Sequence, residues 1–106
     1  MISFAEFKKM ELKVAQVVSV EAHPNADKLY VMKINLGGEE RQIVAGLKAH
    51  YKAEELQGRK IVVVTNLEPV VLRGQKSDGM LLAAQDGPNV VIVVPERDVN
   101  PGSPIL

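Results

Sequence analysis

Residues 29–38 leave the chain little choice of local structure. From Leu29 to Leu36 the side chains alternate with a period of two, Tyr30, Met32, Ile34 and Leu36 on one side and Val31, Lys33 and Asn35 on the other, and Gly37-Gly38 follows at once. A period of two fits an extended strand with one buried face, and paired glycines supply the positive φ of a tight hairpin turn. The segment is therefore predicted to fold back onto residues 41–45 as a β-hairpin. The run before it has the same period: Leu12, Val14, Gln16, Val18 and Val20 share one face, opposite Lys13, Ala15, Val17, Ser19 and Glu21. This predicts a long strand buried mainly on one side. Between the two, Pro24 disfavours helix at His23, and Asn25 and Asp27 stabilise turns, so residues 23–27 form a loop.

The remaining signals extend the β pattern. The β-branched run at 60–65 reads as an inner strand, residues 66–78 as a long polar loop that turns at Glu68-Pro69, and residues 79–84 as a strand. Asp86-Gly87-Pro88 turns the chain into a last strand at 90–94, and a tail rich in proline and charge follows. Ser3 with Glu6 three residues later has the capping-box pattern, and Phe4, Phe7 and Met10 continue at helical spacing, which predicts a short amphipathic helix. A second short helix is expected over 47–56, stopped by Gly58. Five or six short strands with few helices favour a small closed β-barrel over a βαβ sheet.

Composition narrows the chemistry. The 106 residues suit one domain, residues 1–106, with one core. Absence of cysteine removes disulfides, thiolate metal sites and cysteine nucleophiles, and fits a reducing cytosol. Two histidines far apart in sequence make no metal site alone, so neither a metal nor a cofactor is expected. The longest unbroken apolar run, residues 90–95, is too short to span a bilayer, and the N-terminus lacks a basic segment followed by an apolar core. Neither membrane nor secretion is therefore indicated. Ser77 has Asp78 beside it but no histidine in local reach, and the glycines do not open a phosphate-cradling helix, so no reaction can be written.

Thirteen basic and thirteen acidic residues cancel, so a polyanion would need a local patch. Lys33 and Arg41, on the two arms of the predicted hairpin, are expected to project from one surface, and Arg73 and Lys76 come from the long loop. Barrel closure would let these regions converge. Arginine offers a planar fork to phosphate, lysine a point charge, and Ser77 a hydroxyl for phosphate or ribose. Spacing alone leaves four cations among thirteen as unremarkable surface charge. His23 and Tyr30 are each better read as structural than as a stacking platform or metal ligand.

Four stretches carry a resemblance: residues 23–30 (HPNADKLY), 41–47 (RQIVAGL), 66–69 (NLEP) and 72–80 (LRGQKSDGM). In this order the chain resembles the tRNA-binding domain appended to many methionyl-tRNA synthetases, found also as a free-standing tRNA-binding protein. The likeness runs from Phe4 through the tail at 99–102. It implies an OB-fold, a five-stranded Greek-key barrel, with terminal segments around Phe4, Phe7 and Met10 forming a homodimer interface. It implies a cytoplasmic, non-catalytic partner of tRNA that recognises the outer corner of the L by shape and delivers it to a synthetase. The matching contact positions are Arg73, Ser77 and Met80, beside Lys76, with Asn25, Lys28, Lys33 and Arg41 as further carry-overs. Relatives commonly carry lysine where this chain has Glu68 and Val71, which implies weak isolated binding strengthened by dimer avidity or by attachment to an enzyme. Secretion chaperones of the same fold, which bind unfolded polypeptide, resemble the chain less at 23–30 and 73–80.

Overall fold

The computed structural model describes residues 1–106, and nearly all of it is built from antiparallel pairs. β1 (Leu12–Ala22), β2 (Tyr30–Asn35), β3 (Glu40–Ala45), β4 (Lys60–Val64) and β7 (Met80–Leu81) form one sheet in the order β3-β2-β1-β4-β7. Two hairpins flank it, β5 (Val70–Leu72) with β6 (Gln75–Ser77), and β8 (Ala83–Asp86) with β9 (Asn89–Ile92). The five-stranded sheet curls into the half-barrel of an OB-like fold. No helix is long and apolar enough to cross a membrane.

The predicted hairpin forms as read. β2 pairs with β3 from Tyr30↔Ala45 to Asn35↔Glu40, and Tyr30, Met32, Ile34 and Leu36 are all buried. Gly37 and Gly38 have φ of 82° and 97°, positive values that glycine adopts without strain, and both N–H groups donate to the Asn35 side-chain oxygen. Tyr30 donates its hydroxyl to the Tyr51 carbonyl at 2.7 Å, so it is a core residue with a satisfied polar tip. Met32, Ile34, Ile43, Leu56, Ile61 and Val63 are among the fully buried side chains at the centre of the barrel. Truncating any one to alanine removes about 2–5 kcal/mol.

β1 departs from its expected pattern. Ala15 and Val17 sit in the main core, on the face expected to be outward, while Leu12 joins a smaller cluster with Val62 and Val64 and Val18 is exposed. The cause is division of labour along one strand. Residues 12–16 pair with β4, residues 16–22 pair with β2, and the register slips between Val17 and Ser19. A bulge there bends the strand and re-aims its side chains, as barrel closure requires.

Three further expectations change. The helix over 47–56 contracts to α2 (Ala53–Leu56), because the Tyr51 backbone is drawn toward Tyr30 and the Tyr51 hydroxyl accepts the Ile92 N–H at 3.1 Å. The opening helix is α1 (Phe4–Phe7), with the capping box at Ser3 and Glu6 in place, and it buries no residue fully. It stops where Asn66 takes over the backbone: the Asn66 amide accepts the Glu11 N–H at 2.9 Å and donates to the Lys9 carbonyl at 2.7 Å. The polar loop over 66–78 contains the β5–β6 hairpin, and the strand expected over 79–84 divides into β7 and the start of β8. The tail pairs with β1, the Val14 N–H donating to the Ser103 carbonyl at 2.9 Å and Gly102 donating back at 2.7 Å.

Candidate nucleic-acid interface

In an OB-fold the outer face of the second and third strands, with the loops after the first and fourth, forms the oligonucleotide-binding surface. Here those parts are the β2–β3 hairpin, the loop at 23–29 and the segment at 65–79. The barrel closes where the last of these meets β3. Gln42 donates its amide to the Lys76 carbonyl at 2.9 Å and to Gln75 Oε1 at 3.2 Å, and the Asp78 N–H donates to the Gln42 carbonyl at 2.8 Å. Ser77 Oγ accepts the Val44 N–H at 2.9 Å and donates to the Gly79 carbonyl at 3.1 Å. Ser77 is 4% exposed, so its hydroxyl faces the seam of the barrel instead of solvent.

The β5–β6 hairpin has Leu72 opposite Gln75, which leaves Arg73-Gly74 as a two-residue turn. Arg73 has φ +49° and Gly74 φ +88°, the type I′ pattern. Arg73 is the one residue other than glycine with positive φ, a conformation that costs a side-chain-bearing residue about 1–2 kcal/mol. Asparagine, aspartate or glycine would sit there with less strain. The strained backbone aims an exposed guanidinium at the 23–29 loop, where it donates to the Asn25 carbonyl at 3.3 Å. Arg73, Asn25, Asp27 and Lys28 line one concavity.

Next to it runs a polar groove lined by Ser19, Glu21, Lys33, Gln42 and Gln75. Lys33 is exposed on this face, opposite Gln42 in the register. Arg41 is not on it. It pairs with Ile34, which is buried, so Arg41 shares the inward face and points to the barrel end. There it donates to the Thr65 carbonyl and to Glu39, and stands 3.9 Å from Asp78. The expectation that Lys33 and Arg41 project from one surface fails because Lys33 stands opposite Gln42, and Arg41, one residue along β3 from Gln42, takes the other face with Ile34.

Lys76 is exposed opposite Val71, on the face of the ribbon turned away from Gln75 and Ser77. Met80, 50% exposed, lies in an apolar groove with Val44, Leu47, Leu81 and Val90. Val44 pairs with Val31 of the polar groove, so the two depressions adjoin across β3. No cluster of three or more His, Cys, Asp or Glu side chains is arranged to hold a metal ion.

Residues 12–104 match the family described as "Putative tRNA binding domain". The chain belongs to this tRNA-binding domain family. The methionine–tRNA ligase of Pyrococcus furiosus is 54% identical over 104 residues, covering 98% of this chain, and the chain spans 14% of that ligase's length. A solved MetRS-related protein from Pyrococcus horikoshii superposes with a TM-score of 0.94 at 32% identity, covering 100% of this chain and 98% of the other. The chaperone CsaA of Bacillus anthracis superposes with a TM-score of 0.90 at 27% identity, covering 100% and 99%.

In this tRNA-binding domain the structure brings together Arg73, Asn25 and Lys28 around one concavity, sets Lys33 in the polar groove, and leaves Lys76 and Met80 at the margins. Ser77 lies beneath the surface, and Arg41 is partly buried with its guanidinium taken up by the Thr65 carbonyl and Glu39, so both act as supports. Sequence reasoning did not single out Gln42 and Gln75, whose amides line the groove and bond β3 to the hairpin. The register of the two hairpins is the signal that could have found them.

Proposed function

We propose that this chain binds tRNA through the face formed by Arg73, Asn25, Lys28 and Lys33, by shape and with little sequence selectivity. The observation that carries the reading is the strained Arg73 backbone aiming a cation at the loop that bears Asn25 and Lys28. Arg73, Lys28 and Lys33 meet phosphates, Asn25 a 2′-hydroxyl, and Met80 an apolar patch at the edge. Lys76 adds a cation on the outer side of the hairpin. Single-strand binders stack bases on aromatic rings, but here Tyr30 and Tyr51 are engaged in the core and Phe4 and Phe7 lie at the N-terminus. Backbone contacts to a folded RNA fit such a face better.

The chain acts as one unit, residues 1–106, without catalysis of its own, in the cytoplasm, as a homodimer, as an appendage to a methionyl-tRNA synthetase chain or as a free tRNA-binding protein. The identity to methionine–tRNA ligases over 98% of the chain supports that association. Zero net charge supports weak binding in isolation, raised by the dimer or by a tethered enzyme. A tRNA gel-shift across a salt series with wild type and Arg73→Ala tests the reading. Wild type shifts tRNA at low salt and Arg73→Ala weakens it about tenfold; a folded Arg73→Ala that binds like wild type places the site elsewhere.

A second reading, binding of unfolded polypeptide, has support in the likeness to the chaperone CsaA and in the apolar groove around Met80. Peptide binding with no tRNA shift at low salt would favour it.

A further inference from the structure

His23 is 5% exposed and lies where the 23–29 loop meets the β5–β6 hairpin. Its Nδ1 is 2.9 Å from the Asn25 N–H, which donates to it. A ring nitrogen that accepts leaves the proton on the other, so Nε2 donates to the Leu72 carbonyl, also at 2.9 Å. That carbonyl belongs to the peptide unit whose nitrogen is Arg73's own. Arg73's φ is the rotation about the next bond, so a fixed Leu72–Arg73 peptide plane fixes the origin from which the guanidinium is aimed. Arg73 then donates to the Asn25 carbonyl at 3.3 Å, closing a circuit through both loops.

We infer that His23 is a positioning residue for tRNA recognition: without reaching the RNA, its imidazole bonds Asn25 and Leu72 together and so sets the separation and aim of Asn25 and Arg73. A side chain serving burial alone would need no such pairing. This one instead bonds Asn25 within its own loop and Leu72, 49 residues further along the chain, so one bond ends on a contact residue and the other beside Arg73. The inference rests on the reading of this face as the tRNA site.

Two amide side chains separate the two bonds. Asparagine places an oxygen near Nδ1 and can keep the Asn25 bond, but it is too short for Leu72. Glutamine places an NH2 near Nε2 and can keep the Leu72 bond. In tRNA gel-shifts on the full chain at fixed low salt, with folding followed by circular dichroism melts, His23→Asn binds about tenfold more weakly than wild type, and His23→Gln stays within about threefold. The double variant His23→Asn/Arg73→Ala binds no more weakly than Arg73→Ala, because His23 acts through Arg73. Losses that multiply, or a folded His23→Asn with wild-type affinity, overturn the inference while leaving the tRNA reading intact. Arg73→Ala with wild-type affinity overturns both. Should His23→Asn not fold, the ordering is carried by His23→Gln and His23→Ala: Gln binding no better than a folded Ala overturns the inference.

Discussion

Ser77 Oγ accepts the Val44 N–H at 2.9 Å, and this bond joins β3 to the chain arriving from the β5–β6 hairpin. Ser77 also donates to the Gly79 carbonyl, so one hydroxyl satisfies a donor and an acceptor where the barrel has no continuous backbone ladder. Ser77→Ala strands both groups in a half-buried seam. The expected loss is about 1–3 kcal/mol of unfolding free energy, read by urea denaturation. At temperatures where the variant is fully folded, its tRNA affinity falls less than that of Arg73→Ala. A variant as stable as wild type but deficient in binding would return Ser77 to the RNA surface.

Arg73 should show stability and binding moving in opposite directions. Its φ of +49° suits asparagine, which visits the left-handed region readily, better than arginine. Arg73→Asn is expected to raise the unfolding free energy by about 0.5–1 kcal/mol while weakening tRNA binding. The paired measurement is a melt and a gel-shift on the same preparation. A destabilised Arg73→Asn would mean that the guanidinium's bond to Asn25 outweighs the strain.

Much of this was legible in advance, and the misses share a cause. Alternation from Tyr30 to Leu36 gave the right face because the strand is regular and one side alone is buried. The same rule failed for Val18 and Ala15, because a bulge and a change of pairing partner halfway along β1 break the period. Residues 70–77 looked like loop because each strand is three residues long and the turn holds Arg-Gly instead of Asn-Gly. The facing of Arg41 depends on register, which the Gly37-Gly38 turn sets to a single residue and the pleat alone does not fix. His23 read rightly as structural, but what it bonds to is a long-range fact that no local pattern encodes.

Salt dependence separates the cations that face outward from the one that does not. Lys28, Lys33 and Arg73 are exposed on or beside the candidate face, and three phosphate contacts give a slope of log K against log salt of about −2 to −3. Lys28→Ala and Lys33→Ala should each reduce the slope by about 1. Arg41→Ala should leave it unchanged and lower stability instead, because its guanidinium is bonded to the Thr65 carbonyl and paired with Glu39. Equal slope changes for Lys33 and Arg41 would contradict the register.

Two adjacent glycines make a controlled comparison. Both have positive φ, but a Cβ on Gly37 would stand 2.5 Å from the Pro101 carbonyl oxygen, whereas one on Gly38 meets nothing within 4 Å. Gly38→Ala therefore suffers conformational strain of about 1 kcal/mol, and Gly37→Ala adds the clash with the tail. The excess should appear as a lower melting temperature and as faster hydrogen exchange at Val14, whose N–H is held by Ser103. Equal effects at the two positions would mean that the tail yields freely.

The terminal segments carry the remaining test. Phe4 is 74% exposed, Met10 45%, Ile2 65% and Leu106 92%, while Phe7 packs inward against the cluster of Leu12, Val62 and Val64. Phe7 thus fastens the helix to its own barrel and leaves Phe4 and Met10 outward. An apolar patch of this kind on a short helix and the adjoining C-terminus suits a second copy of the chain. Phe4→Ser/Met10→Ser should halve the mass measured by light scattering without lowering the melting temperature of the barrel by more than a few degrees. Because two weak sites on one tRNA gain from being linked, the monomer should also bind tRNA about tenfold or more weakly at low protein concentration. An unchanged mass would remove Phe4 and Met10 from the proposed interface, and with them the avidity proposed for a domain of zero net charge.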